Sequence, residues 1–158
     1  MSDLARRRRS DFYSAAAFVA ACVGVSLAIG WVARPGEWYA DLVKPAFNPP
    51  SWVFGPVWTF LYILIGIAGW RTWRVAPKSA AMAWWGVQMG LNWLWSPAFF
   101  GAQRPWLAFA VILALLGAIV AYIAAAWRQD RTAAWLFIPY AAWVAFAGTL
   151  NGFIATAN

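Results

Sequence analysis

Five stretches of this chain, at about 12–33, 51–70, 79–100, 105–127 and 132–154, contain no Asp, Glu, Lys or Arg. An α-helix needs about 20 predominantly apolar residues to cross a hydrocarbon core of roughly 30 Å, and each stretch meets that length. The chain is 64% apolar and 11% charged, where a soluble domain carries about 25% charged residues. So few polar groups cannot cover the apolar surface of 158 residues in water, and lipid is the solvent such a chain can fold against. The sequence predicts an all-α membrane protein with a single domain over residues 1–158. Its core would be a bundle of five transmembrane helices, with a long structured loop at 34–50 joining the first two. The first run resembles the apolar part of a signal peptide, but such cores span only about 7–15 residues, so it reads as a retained membrane helix.

The charges lie between the runs. Nine Lys and Arg fall before the first run, after the second and after the fourth; Arg34, Lys44 and Arg104 fall on the other side. Positive charge marks the cytoplasmic side of short loops, which places the N-terminus inside. The formal net charge of +7 is not a nucleic-acid footprint, because these residues sit in short clusters flanking apolar runs. The expected neighbour is membrane lipid, with no nucleic acid. There is no histidine, and the one cysteine, Cys22, stands inside an apolar run. That excludes an intrachain disulfide and a cysteine metal cluster, and it removes the commonest acid/base near neutral pH. With no carboxylate in any run, ordinary acid/base catalysis and a proton-coupled transport relay both lack candidates.

The joining segment, "RPGEWYADLVKPAFNPP", carries Trp38, Tyr39, Leu42, Val43 and Phe47, too many apolar side chains for a solvated linker. Pro45, Pro49 and Pro50 stiffen it by fixing φ and restricting their predecessors. Long loops in compact domains are usually functional, so the segment reads as a lid over the open end of the bundle.

Periodicity indicates what lies beneath. In the third run Trp85, Gln88, Asn92, Trp95 and Phe99 recur every three or four residues and share a face. Gln88 and Asn92 put amides deep in an apolar run, and such groups must face a partner or a cavity. Trp58 and Tyr62 stand one turn apart in the second run; Trp135, Pro139, Trp143, Ala147 and Leu150 make a stripe in the fifth. Tryptophan is enriched at membrane interfaces, which accounts for those near run ends, such as Trp31, Trp52 and Trp106. Trp58, Trp95 and Trp143 lie deeper and are expected to line a pocket for a flat apolar ligand. Opposite Gln88 and Asn92, Gly86 and Gly90 have the spacing that allows two helix backbones to approach, and a homodimer through this face is expected.

Three blocks carry a resemblance: "EWYADLVKPAFNPPSWVFGPVWTFLY", "QMGLNWLWSPAFFG" and "LFIPYAAWVAFAGTLN". In order and over nearly all of the chain after residue 30, they resemble the TspO/MBR family, the tryptophan-rich sensory proteins that include the translocator or peripheral benzodiazepine receptor group. The resemblance implies a bacterial member built as a five-helix bundle, usually dimeric, in the cell envelope. It implies a lidded pocket for porphyrins such as protoporphyrin IX and heme, held as ligands rather than as an obligatory cofactor. The family's pocket positions fall on Tyr39, Pro49, Trp58, Asn92, Trp95, Trp143 and Ala147; Tyr62, Gln88 and Leu150 join them from periodicity alone. The aromatic-then-arginine cholesterol pattern of animal relatives is missing from "LNGFIATAN", which speaks against cholesterol as a partner. The leading expectation is a receptor or carrier for tetrapyrroles, with no catalytic residues. The alternative is a light-dependent enzyme that degrades porphyrins through pocket tryptophans.

Overall fold

The computed structural model describes residues 2–158, with side chains for Arg6 and residues 8–158. Seven α-helices and one π-helical turn account for nearly all of it: α1 (Ser2–Val32), α2 (Glu37–Asp41), α3 (Ser51–Val75), α4 (Ala80–Ser96), the π-turn (Pro97–Gly101), α5 (Pro105–Ala126), α6 (Arg131–Leu136) and α7 (Ile138–Ala157). Among the described residues four helical segments are long and apolar enough to cross a membrane: Arg8–Val32, Ser51–Val75, Pro105–Ala126 and Arg131–Ala157.

The helices outrun the apolar stretches wherever nothing stops them. α1 starts at Ser2, because arginine is a good helix former and no breaker precedes Pro35. α3 runs past Trp70 to Val75 and stops just before Pro77. These extensions carry the ion pairs. Arg74 Nη2 lies 3.3 Å from Asp11 Oδ2, joining α3 to α1. Arg71 Nη2 donates to Asp130 Oδ1 at 3.0 Å, with Nε 2.8 Å from Oδ2. Asp130 also accepts from Ala133 N at 3.2 Å and so caps α6. Partial burial pushes the Asp130 carboxyl upward, but the bond from Arg71 and the backbone amides outweigh it and hold the group below its ordinary value.

Prolines shape the rest. The third apolar run does not continue as one α-helix: α4 has 17 residues and gives way at Pro97 to the π-turn. Proline has no N–H to donate one turn back, and the chain widens until Ala102 N meets Pro97 O at 2.7 Å. Gln103, with φ 53°, reverses the chain into α5, which begins at Pro105. The fifth run is likewise divided. Pro139 cannot donate to Trp135, and α6 and α7 meet at Phe137, whose N–H turns to Ala134 O at 3.1 Å.

α5 is the central element, packed between α4 and α7, and α1 lies along α3. A Cβ on Gly66 would come 2.7 Å from Val19 Cα, so only glycine permits that approach. α3 packs on α6 but makes little contact with α7. The two diverge toward the opposite end, where a space opens.

The 34–50 segment is not wholly loop, since it folds α2 over that end. Tyr39 meets Phe99 and Phe100 edge-on at 6.1 and 5.3 Å, and Trp38 meets Phe99 at 5.8 Å. The Asn158 amide closes a pair of bonds with Val43, accepting from its N–H at 2.9 Å and donating to its carbonyl at 3.2 Å.

Candidate functional site

The space beneath this roof is a cavity of about 680 Å³. Every long helix and the roof contribute to its wall. Tyr39 and Pro49 come from the roof, Trp58 and Tyr62 from α3, Asn92 and Trp95 from α4, and Ala147 and Leu150 from α7. The π-turn adds Phe99 and Phe100, and the widened backbone lets these successive rings both face the space. Burial pushes the Tyr39 phenol above its ordinary value, with the nearby Asn48 side chain pulling the other way.

Two residues singled out from the sequence stand elsewhere. Gln88 is fully buried behind the wall. Trp143 packs edge-on against Phe54 at 5.8 Å and against Phe146 at 5.6 Å, outside the lining, with its buried Nε1 unpartnered. Gly86 and Gly90 lie on the outer face of α4, where an added methyl group would meet nothing within 4 Å.

The polar groups form two networks. Tyr62 Oη donates to Asn92 Oδ1 at 2.7 Å, and Asn92 Nδ2 donates to Tyr140 Oη at 2.8 Å. Tyr140 Oη donates to Gln88 Oε1 at 3.0 Å, and Gln88 Nε2 donates to the carbonyl of Trp85 at 3.0 Å. In the second network Trp95 Nε1 donates to Asn151 Oδ1 at 3.0 Å, while Asn151 Nδ2 donates to Pro105 O at 2.9 Å. Each buried amide thus has both ends satisfied, as burial in an apolar bundle demands. The sequence reading missed Tyr140 and Asn151. Asn151 stands one turn beyond Ala147 on the same stripe, a signal that was present. Tyr140 stands two turns before Ala147 on the same face, so its position was legible as well, but only the packing shows that it bridges α7 to α4.

The exposed wall residues are Leu27, Gly30 and Trp31 of α1, Arg34 and Pro35 just beyond it, and Ser51, Gly55 and Thr59 of α3, so the mouth runs between those helices up to the ends of the roof segment. Trp31, expected only as an interface anchor, stands at this mouth with the Arg34 guanidinium 5.3 Å above its ring. Arg34 is part of the wall; Lys44 is not, for its ammonium is bonded to the carbonyls of Ala40 and Leu42 at 3.0 and 3.1 Å.

An aromatic cavity under a roof, with amides at its floor, is the arrangement that the three sequence blocks implied. Residues 17–156 match the sequence profile of the TspO/MBR family. The chain belongs to the TspO/MBR family. Relatives span bacteria and mammals. A tryptophan-rich sensory protein of Cereibacter sphaeroides is 39% identical over 134 residues, 85% of this chain and 84% of that protein. The tryptophan-rich protein TspO of Chlorobaculum tepidum is 37% identical over 150 residues, 89% and 95% of the two chains. The human translocator protein is 39% identical over 120 residues, 73% and 71% of the two. TspO/MBR members are membrane proteins, in keeping with the four long apolar helices here.

Proposed function

We propose that this protein is a bacterial cell-envelope receptor or carrier for porphyrin-type ligands, crossing the membrane five times and working as a homodimer. The fifth crossing is α4 continued by the π-turn, 22 residues over 80–101. The observation that carries the reading is the cavity itself: about 680 Å³, within the roughly 300–1,000 Å³ of small-molecule sites, and lined mainly by apolar side chains, eight of them aromatic, with a few fixed polar groups. A tetrapyrrole face would lie on Trp58, which stacks on Tyr62 at 5.5 Å between ring centres. Arg34 stands where an acidic substituent could pair with it. With no histidine in the chain and Cys22 outside the wall, the ring is held by its faces and edges, with no side chain of those two kinds to reach a central metal. The names of the relatives, sensory and translocator, agree with a ligand-handling membrane protein. The exposed Gly86 and Gly90 face of α4 is the surface offered to a second copy.

The test is titration of the purified full-length chain with protoporphyrin IX, followed by tryptophan quenching and by the porphyrin absorption band. Trp58→Leu weakens binding about tenfold or more, since base–aromatic or ring stacking is worth about 1–3 kcal/mol. Trp127→Leu, at the far end of α5, leaves it unchanged. Equal affinity in all three proteins would refute the cavity as the site.

A further inference from the structure

The Trp85 carbonyl can only accept a hydrogen bond, and that single constraint propagates through four side chains. Because Gln88 Nε2 must face it, Gln88 Oε1 faces Tyr140 and takes the Tyr140 proton. Tyr140 then has only lone pairs left for Asn92, so Asn92 presents Nδ2 to it. Asn92 Oδ1 is thereby turned to Tyr62 and receives the Tyr62 proton. Tyr62 lines the cavity, and at the end of this sequence its oxygen has lone pairs alone left to offer. Tyr140 and Gln88 are both fully buried and touch no part of the cavity. Each is held in place: Tyr140 packs edge-on against Phe137 at 5.5 Å and Trp58 at 6.3 Å. Ser26, also in the wall and beside Tyr62, keeps its proton, since its oxygen accepts from Trp93 Nε1 at 3.2 Å; it is the protein donor with which a ligand would compete for the Tyr62 lone pairs.

We propose that Tyr140 and Gln88 are positioning residues that set the hydrogen-bond polarity of the cavity floor, so that Tyr62 acts as an acceptor and the site selects flat apolar ligands bearing an O–H or N–H donor at that depth. This rests on the cavity being a ligand site. A site built to pair with a donor discriminates against the analogue that lacks it, because a buried polar group is then left unmatched.

Two fluorescent probes of one shape separate the outcomes: pyrenemethanol, which carries a donor, and its methyl ether, which does not. Binding is read by energy transfer from tryptophan in the full-length protein, corrected for partition into protein-free micelles. The wild type binds the alcohol about tenfold more tightly than the ether. Tyr62→Phe, which removes the acceptor, brings the ratio close to one. Tyr140→Phe does the same from outside the cavity, because Asn92 is then free to turn over. Gln88→Leu gives the sharper result. With no carbonyl behind it, Tyr140 donates to Asn92, the amide reverses, and the Tyr62 proton swings into the cavity. The ether then binds more tightly than in the wild type, about three- to tenfold, a gain that a damaged fold would not produce. If Gln88→Leu weakens both probes by one factor, or if the wild type binds them equally, the proposal is overturned. Protoporphyrin titration of the same preparations distinguishes this from failure of the ligand-site reading, in which neither pyrene nor porphyrin binds.

Discussion

Replacing Gly69 by alanine tests whether α3 and α4 pack as described. The Trp85 indole occupies the position that a Cβ on Gly69 would take: Cε2, Nε1 and Cζ2 all crowd it, the last at 2.7 Å. Ordinary carbon–carbon contact lies near 3.5–4.0 Å, so the ring must retreat by about 1 Å. Phe18 stands edge-on behind it at 5.6 Å and restricts that movement. The same ring donates from Nε1 to Ile65 O at 3.0 Å, a bond that such a retreat breaks. Overpacking costs about 1–3 kcal/mol and an orphaned buried donor a further ~1–3 kcal/mol. Alanine recovers about 1 kcal/mol of helix propensity. The net loss is roughly 3 kcal/mol, within a span of about 1–5. At about 2–4 °C per kcal/mol for a domain of this size, Gly69→Ala melts roughly 6–12 °C below the wild type. Thermal unfolding in detergent, followed by near-ultraviolet circular dichroism, measures this directly. A melting temperature equal to or above that of the wild type would show that Trp85 does not lie against Gly69, and the placement of Gln88 behind the cavity would fall with it.

At Gly86 and Gly90, on the outer face of the adjacent helix, the expectation is the reverse. Leucine at either position leaves the monomer folded and porphyrin titration unchanged but shifts the protein to monomers in light scattering; a persisting dimer would move the interface elsewhere. The Arg71–Asp130 pair predicts a pH effect. A carboxyl whose folded value is depressed contributes stability that is present above its unfolded pKa, near 3.9, and lost as pH falls through the lower folded value. Asp130→Asn, which keeps the helix cap, flattens the decline in melting temperature over that acid range; an unchanged decline would mean that other groups cause it.

Much of this was legible before any coordinates, and the exceptions have physical causes. Absence of charge marked the apolar runs, and Pro35, Pro77 and Pro105 marked turns, because both signals are local. Charge proved a poor guide to where helices end, since Arg71 and Arg74 favour helix as well as they favour water. Pro97 and Pro139 were visible, but the consequence of each depended on what packed beside it: a widened turn in one case and a break at Phe137 in the other. Spacing put Gln88 and Asn92 on one face without revealing that Tyr140 stands between them. Trp143 shares a stripe with Ala147, yet a turn of 40° over four residues is enough to set a large ring against Phe54 while the small side chain faces the cavity.

The clasp between Asn158 and Val43 has a kinetic consequence. Lifting the roof means breaking two hydrogen bonds and parting Tyr39 and Trp38 from the phenylalanines below. The side-chain bonds that join α1 to α3, Trp70 to Ser14 and Arg74 to Asp11, lie at the far end, and at Gly30 and Gly55 a methyl group added to either glycine would touch nothing. If the cavity takes the ligand proposed for it, the lower barrier to entry would therefore lie on the flank. A guest dissolved in hydrocarbon has a shorter way in than one dissolved in water, and its rate of arrival should follow its concentration in the bilayer.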